Sequence, residues 1–104
     1  MIKPFYLYID DLRFCPDPVK NQYSVITVRT AEAAIDTINF LISSGSVIYI
    51  DFDHDLGEGK SGYDVAKYIV ENQIAIAGYR IHSMNPIGVF NMNQLLEHYG
   101  YKRF

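Results

Sequence analysis

Residues 50–57 read Ile-Asp-Phe-Asp-His-Asp-Leu-Gly and follow directly on the apolar run Val47 to Ile50. An apolar run without alternation suits a central strand covered on both faces, predicted here from Val47 to about Phe52. Its abrupt change to carboxylates and an imidazole marks a strand end, where open α/β sheets place their chemistry. Side chains alternate along an extended chain, so Asp51, Asp53 and Asp55 are predicted to share one face and His54 the other. Three anions on one face repel unless a cation joins them, some protons are retained, or the chain turns to separate them.

Working outward, Phe5 to Ile9 (Phe-Tyr-Leu-Tyr-Ile) is a strand of the same kind, ended by Asp10 and Asp11 with Arg13 close behind. Phe14 to Tyr23 holds Pro16, Pro18 and Asn21 and is predicted to be a loop without regular helix. Ser24 to Arg29 alternates as a second strand. Thr30 is placed as the cap of a helix whose apolar face is Ala31, Ala34, Ile35, Ile38, Leu41 and Ile42, stopped by Ser43-Ser44-Gly45. Gly57 to Gly62 contains Gly59-Lys60-Ser61, the ending of a phosphate loop, but that motif needs glycine where His54 stands and is rejected. Ser61 and Asp64 form a capping pair for a helix running to about Asn72. A fourth strand is predicted over Tyr79 to Ser83, and Asn85-Pro86 opens a last helix closed by Gly100.

A chain of 104 residues with 49% apolar and 20% charged side chains is expected to form one domain over 1–104 with a single core. A net charge of −3 offers no basic patch, so duplex nucleic acid is not an expected partner. Cys15 is the single cysteine, which excludes an internal disulfide and a cysteine-based zinc site. Nothing approaches the ~18 continuous apolar residues of a membrane span, and no leader pattern is visible, so the expected setting is the cytoplasm.

Strands separated by helices imply right-handed crossovers and a small, open, mainly parallel four-stranded α/β sheet with helices on its faces. All carboxyl ends then lie along one rim. That rim gathers Asp10, Asp11, Asp51, Asp53, His54, Asp55, His82 and Ser83, and the helix after Asn85 starts there too. Convergence of three strand ends is a stronger signal than any one motif.

Tyr-Ile-Asp-Asp-Leu-Arg at 8–13, Val-Arg-Thr at 28–30, Asp-His-Asp-Leu-Gly at 53–57, Gly-Tyr-Asp-Val-Ala at 62–66 and Ile-His-Ser-Met-Asn-Pro-Ile-Gly at 81–88 together resemble the cyclic-phosphate processing receiver-domain family. The resemblance implies a receiver-like (flavodoxin-like) fold and action on cyclic or modified nucleotide phosphates. It matches Asp10 and Asp11 to the acidic pair that holds Mg²⁺ in receivers, Asp53 to the carboxylate ending the central strand, and Ser83 to the hydroxyl after the fourth. The fifth strand with its lysine is not found, and the spacing from Asp53 to Gly62 is not that of ordinary receivers. Asp51 stands where a small residue is expected and makes the rim more acidic.

The leading expectation is a metal-assisted phosphoesterase of the cyclic-nucleotide type. Asp10, Asp11 and Asp53 would hold Mg²⁺ or Mn²⁺, His54 and His82 would act as base and acid beside Asp53, and Arg13, Ser83 and the Asn85 turn would grip the phosphate. On this reading His82→Ala abolishes turnover and leaves the fold intact. The alternatives are a module that binds a cyclic nucleotide without cleaving it and a receiver-like interaction domain modified on Asp53.

Overall fold

The computed structural model describes residues 3–104. Four strands, β1 (Phe5–Ile9), β2 (Ser24–Val28), β3 (Ile48–Phe52) and β4 (Gly78–Ile81), form one sheet in the order β2-β1-β3-β4. Every pairing is parallel, with Leu7 opposite Ile50 and Tyr8 opposite Asp51. The small, open, parallel four-stranded α/β sheet expected from the alternation of strands and helices is therefore present.

Three long helices follow, α2 (Ala31–Ser43), α3 (Gly62–Glu71) and α4 (Pro86–His98), after the short α1 (Asp17–Lys20). Thr30 caps α2 by accepting a hydrogen bond from the Ala33 amide at 3.1 Å, and Asn85 caps α4 through the Gly88 amide at 3.0 Å. Ser61 and Asp64 close the capping box of α3, the Ser61 amide donating to Asp64 at 2.7 Å. These caps satisfy amides that a helix start otherwise leaves orphaned.

The strand period divides the sheet into two unlike faces. Leu7, Ile9, Ile48, Ile50, Phe52 and Tyr79 join Ala34, Ile38, Leu41, Val65, Ile69, Met92 and Leu96 in one core, so all three long helices supply the same cluster. The opposite face carries Tyr6, Tyr8 and Cys15, with Val19, Tyr23, Val25 and Tyr49 packed against them. Both faces thus carry helix, but unequally, with α2, α3 and α4 on one and the short α1 on the other. The connection from β1 to β2 is the only crossover on the second side, and it holds one turn of helix.

That turn corrects the reading of residues 14–23 as loop throughout. Pro16 is the N-cap of α1 and Pro18 lies in its first turn, where a missing N–H costs nothing. Strand ends move by one or two residues: β2 stops at Val28, β3 begins at Ile48, and β4 runs from Gly78 to Ile81. Beyond β4 the sheet is extended by a single parallel bridge, Tyr79 to Arg103. The Tyr79 amide donates to Lys102 O at 2.9 Å and the Phe104 amide to Tyr79 O at 3.1 Å. Phe104 thereby lies edge-on to Tyr6 and Tyr49, at 5.8 and 4.8 Å, and closes part of the face that lacks long helices.

Candidate functional site

The residues that matter sit one step beyond the strand ladder and stay tied to it. The Asp10 amide donates to Val28 O at 3.1 Å, Asp53 to Ile9 O at 2.9 Å and His82 to Phe52 O at 2.9 Å. Three adjacent strand ends thus hold their side chains on one rim. Asp10, Asp51 and Asp53 are 1%, 4% and 6% exposed, so each carboxylate needs partners to remain charged.

His82 supplies two of those partnerships. Its Nδ1 lies 2.5 Å from Asp51 Oδ1 and its Nε2 2.9 Å from Asp10 Oδ2. The ring stacks on Tyr8 at 4.6 Å and 5°. Burial opposes a charge on this imidazole, but the hydrogen bonds and negative charges of Asp51 and Asp10 prevail and raise its pKa above the usual 6.5. His82 is thus clamped between two carboxylates, and both of its ring nitrogens can donate to them when the ring is protonated. Asp51 takes a further hydrogen bond from the Tyr6 hydroxyl at 2.5 Å.

Asp10 is saturated. Oδ1 accepts the amides of Leu12 and Arg13 at 2.9 and 2.8 Å, and Oδ2 accepts Arg13 Nε and His82 Nε2, each at 2.9 Å. Four donors fill the four acceptor positions of the carboxylate. Burial acts to raise its pKa, yet the Arg13 and Leu12 amides, with His82 and the Arg13 charge, bring it down from the usual 3.8 to about 2. A lowered carboxylate pKa contributes stability that is complete above 3.8 and is lost as pH falls through about 2. Its magnitude is on the order of 2 kcal/mol. Asp10→Asn should remove this part of the acid slope, which urea titrations between about pH 5 and pH 2 would measure.

Arg13 reaches across to Asp53, Nη2 to Oδ2 at 3.6 Å, with half of its side chain exposed. Arg29 braces the loop from below, donating to Asp10 O at 3.0 Å and Arg13 O at 2.6 Å. Asp10, Asp11, Leu12, Arg13, Asp53, Asp55 and Met84 line a pocket of about 340 Å³. The group brought within metal-ligand spacing is Asp10, Asp53 and His82, with one donor atom of each inside 4.8 Å of the others. Asp11 lines the pocket but is not in that group.

The acidic run separates as it leaves the strand. Asp51 faces His82 and Tyr6, Asp53 faces Arg13, and Asp55 turns out to meet His54 Nδ1 at 2.9 Å. The expected sharing of one face by all three is thus replaced by three distinct partners, because β3 ends at Phe52 and the chain turns. His54 is not beside His82. Its ring packs on α4, where a Cβ on Gly88 would fall 2.4 Å from His54 Cγ. Ser83 and Asn85 serve the turn into α4: Ser83 Oγ accepts the Asn85 amide at 3.1 Å, and Asn85 Nδ2 lies 3.5 Å from His54 Nδ1 and from Asp55.

Tyr6, Tyr8, Asp51 and Arg29 are site residues that reading for carboxyl ends undervalued. Strand alternation would have found the two tyrosines, since Tyr6, Tyr8 and Asp10 share a face, whereas the pairing of Tyr8 with Asp51 is a matter of register between strands. Arg29 was marked only by its place in the Val-Arg-Thr motif at 28–30, which gave it no role.

The model of the cyclic-phosphate processing receiver domain matches residues 5–98. Among solved structures, the signal receiver domain of a protein described as a Luxo repressor from Vibrio parahaemolyticus matches with a TM-score of 0.64 at 23% identity, covering 99% of this chain and 77% of that one. A fusion chain carrying part of the yeast Spc42 coiled coil matches with a TM-score of 0.66 at 25% identity, over 89% of this chain and 63% of that one. These two likenesses concern the fold. No curated protein matches. Among the described residues, no helix is long and apolar enough to cross a membrane.

Proposed function

The chain belongs to the cyclic-phosphate processing receiver-domain family, and on that premise we propose that its strand-end pocket binds a cyclic or otherwise modified phosphate and hydrolyses the ester with a divalent cation. The observation that carries this reading is the placement of Arg13 over Asp10 and Asp53. Nε and the two backbone amides anchor the loop to Asp10, while the Nη edge stays at the half-exposed mouth, where a guanidinium matches two phosphate oxygens.

Of the three groups at this spacing, Asp10 and Asp53 offer the carboxylate oxygens that suit a hard divalent cation such as Mn²⁺ or Mg²⁺, while both His82 nitrogens are taken by Asp51 and Asp10. Asp53, with Arg13 Nη2 no nearer than 3.6 Å, and Asp10, once it releases one of its four donors, would hold it. Such a cation neutralises phosphate oxygens and acidifies a bound water. The chain's own part follows from the contacts. His82 keeps two buried carboxylates paired and the rim rigid. Arg13 orients the phosphate, and the Asp53 carboxylate accepts the proton of an attacking water. Of the two rim imidazoles, His54 is the one with a ring nitrogen, Nε2, free of protein partners among the described residues, and so the one able to exchange a proton.

Incubation with 3′,5′- and 2′,3′-cyclic nucleotides plus Mn²⁺ or Mg²⁺ tests the reading. Ring-opened product should accumulate, and Asp53→Asn should lower kcat by a factor of about 10² or more. Tight binding with full recovery of intact ligand would overturn hydrolysis. It would leave the second reading, a module that holds the ligand uncleaved, which the four protein donors on Asp10 favour, since a cation must displace one of them.

A further inference from the structure

We propose that the cleft between α3 and α4 seats the nucleoside of a nucleotide whose phosphate lies in the Asp10–Asp53 pocket. The inference rests on the phosphate reading above and adds a second subsite, the place where the nucleoside would sit. The cleft has a volume of about 780 Å³, more than twice the phosphate pocket. That is within the range of small-molecule sites.

The two cavities differ in chemistry. The phosphate pocket is lined by four carboxylates and a guanidinium. The cleft is lined by His54, Tyr63, Asn91, Gln94, His98 and Tyr99, with Leu95 and Ser61, and holds no carboxylate, lysine or arginine. Such a lining has nothing fixed in charge to grip a phosphate. Asn91 and Gln94 lie three residues apart in α4, hence on one side of the helix. Each amide presents a donor and an acceptor, which match the polar edge of a nucleobase. Tyr63, His98 and Tyr99 bring three aromatic rings to the lining, the kind of group on which a flat base stacks.

The cavities meet at one pair of residues. His54 lines the cleft, Asp55 lines the phosphate pocket, and the two side chains are hydrogen-bonded at 2.9 Å. Asn85 Nδ2 lies 3.5 Å from both. The partition is a single imidazole seated on the bare backbone of Gly88, since a Cβ there would stand 2.4 Å from Cγ and 2.5 Å from Cδ2 of His54. A ligand with an anionic end and a neutral, flat, hydrogen-bonding end spans that partition, and a nucleotide has this form.

The test uses amide spectra of the full chain titrated with the four ribonucleosides, which lack phosphate, and separately with inorganic phosphate. At least one nucleoside should shift Tyr63, Asn91 and Gln94, in the Asp53→Asn variant as in the parent, while phosphate shifts Asp10 to Arg13. Asn91→Ala with Gln94→Ala, both on the exposed side of α4, should keep the melting temperature, abolish the nucleoside shifts and weaken cyclic-nucleotide binding about tenfold or more. Handling of glycerol 1,2-cyclic phosphate, which has no base, should be unchanged. Cleft shifts in a protein that opens no ester would uphold this inference and remove the hydrolytic reading. Cyclic-nucleotide binding unaltered in the double variant, or nucleoside shifts confined to Leu12 and Met84 on the far rim, would overturn the inference.

Discussion

His82→Ala should cost this protein its fold before its chemistry, lowering the melting temperature by roughly 15 °C or more. The substitution removes the shared partner of two carboxylates that are 1% and 4% exposed. Asp51 would keep only the Tyr6 hydroxyl and Asp10 would keep Arg13 and two amides. Removing one member of a buried charged network costs about 3–5 kcal/mol, against total stabilities of about 5–15 kcal/mol. The expectation from sequence, an inactive but well-folded variant, did not include the second carboxylate. A pH signature separates this mechanism from loss of packing against Tyr8. A histidine pKa raised in the folded state contributes stability that is complete below the ordinary 6.5 and is lost as pH rises through the folded value. Parent melting temperatures should therefore decline above neutral pH, and those of His82→Ala should not show that decline. A variant melting within about 3 °C of the parent would remove the clamp from this account.

Much of the architecture was legible because its signals are local. The alternation of apolar runs with capped helical periods specified four parallel strands, and Thr30, Ser61 and Asn85 sit at the helix starts assigned to them. The convergence of Asp10, Asp53 and His82 was legible too, since a parallel sheet brings all carboxyl ends to one rim. What could not be read was partnership. Whether His82 stands free or bridges two carboxylates depends on register between β1, β3 and β4, and register is not written in any one strand. His54 shows the same limit. Its position next to Asp53 suggested the same pocket, yet the turn after Phe52 sends it to α4, where only the missing side chain of Gly88 admits it. The one-sided packing of the long helices was hidden as well, because the second face is covered by aromatic rings, Tyr23, Tyr49 and Phe104 among them, rather than by a periodic segment.

Gly62→Ala is expected to destabilise the protein by about 3 kcal/mol, although helix propensity argues for the opposite sign. Gly62 is the first residue of α3, and alanine in a helix is favoured over glycine by up to about 1 kcal/mol. That gain is small beside the contact the methyl group would make. A Cβ at this position falls 1.9 Å from Asp53 O and 2.9 Å from Asp53 C, both backbone atoms that no rotamer change can move. Relief requires the start of α3 to withdraw from the end of β3, and the Gly62 amide bond to His54 O at 2.8 Å would be lost with it. The displaced peptide carries Asp53 itself, so the Asp53–Arg13 spacing should loosen in the same variant. Lys67→Ala, an exposed change on the same helix, should stay within about 0.5 kcal/mol of the parent and controls for any general effect on α3. Urea unfolding of the three proteins measures both numbers. A Gly62→Ala variant as stable as the parent would mean that α3 can shift freely against the site, and the rigidity assigned to the Asp53 strand end would be lost with that result.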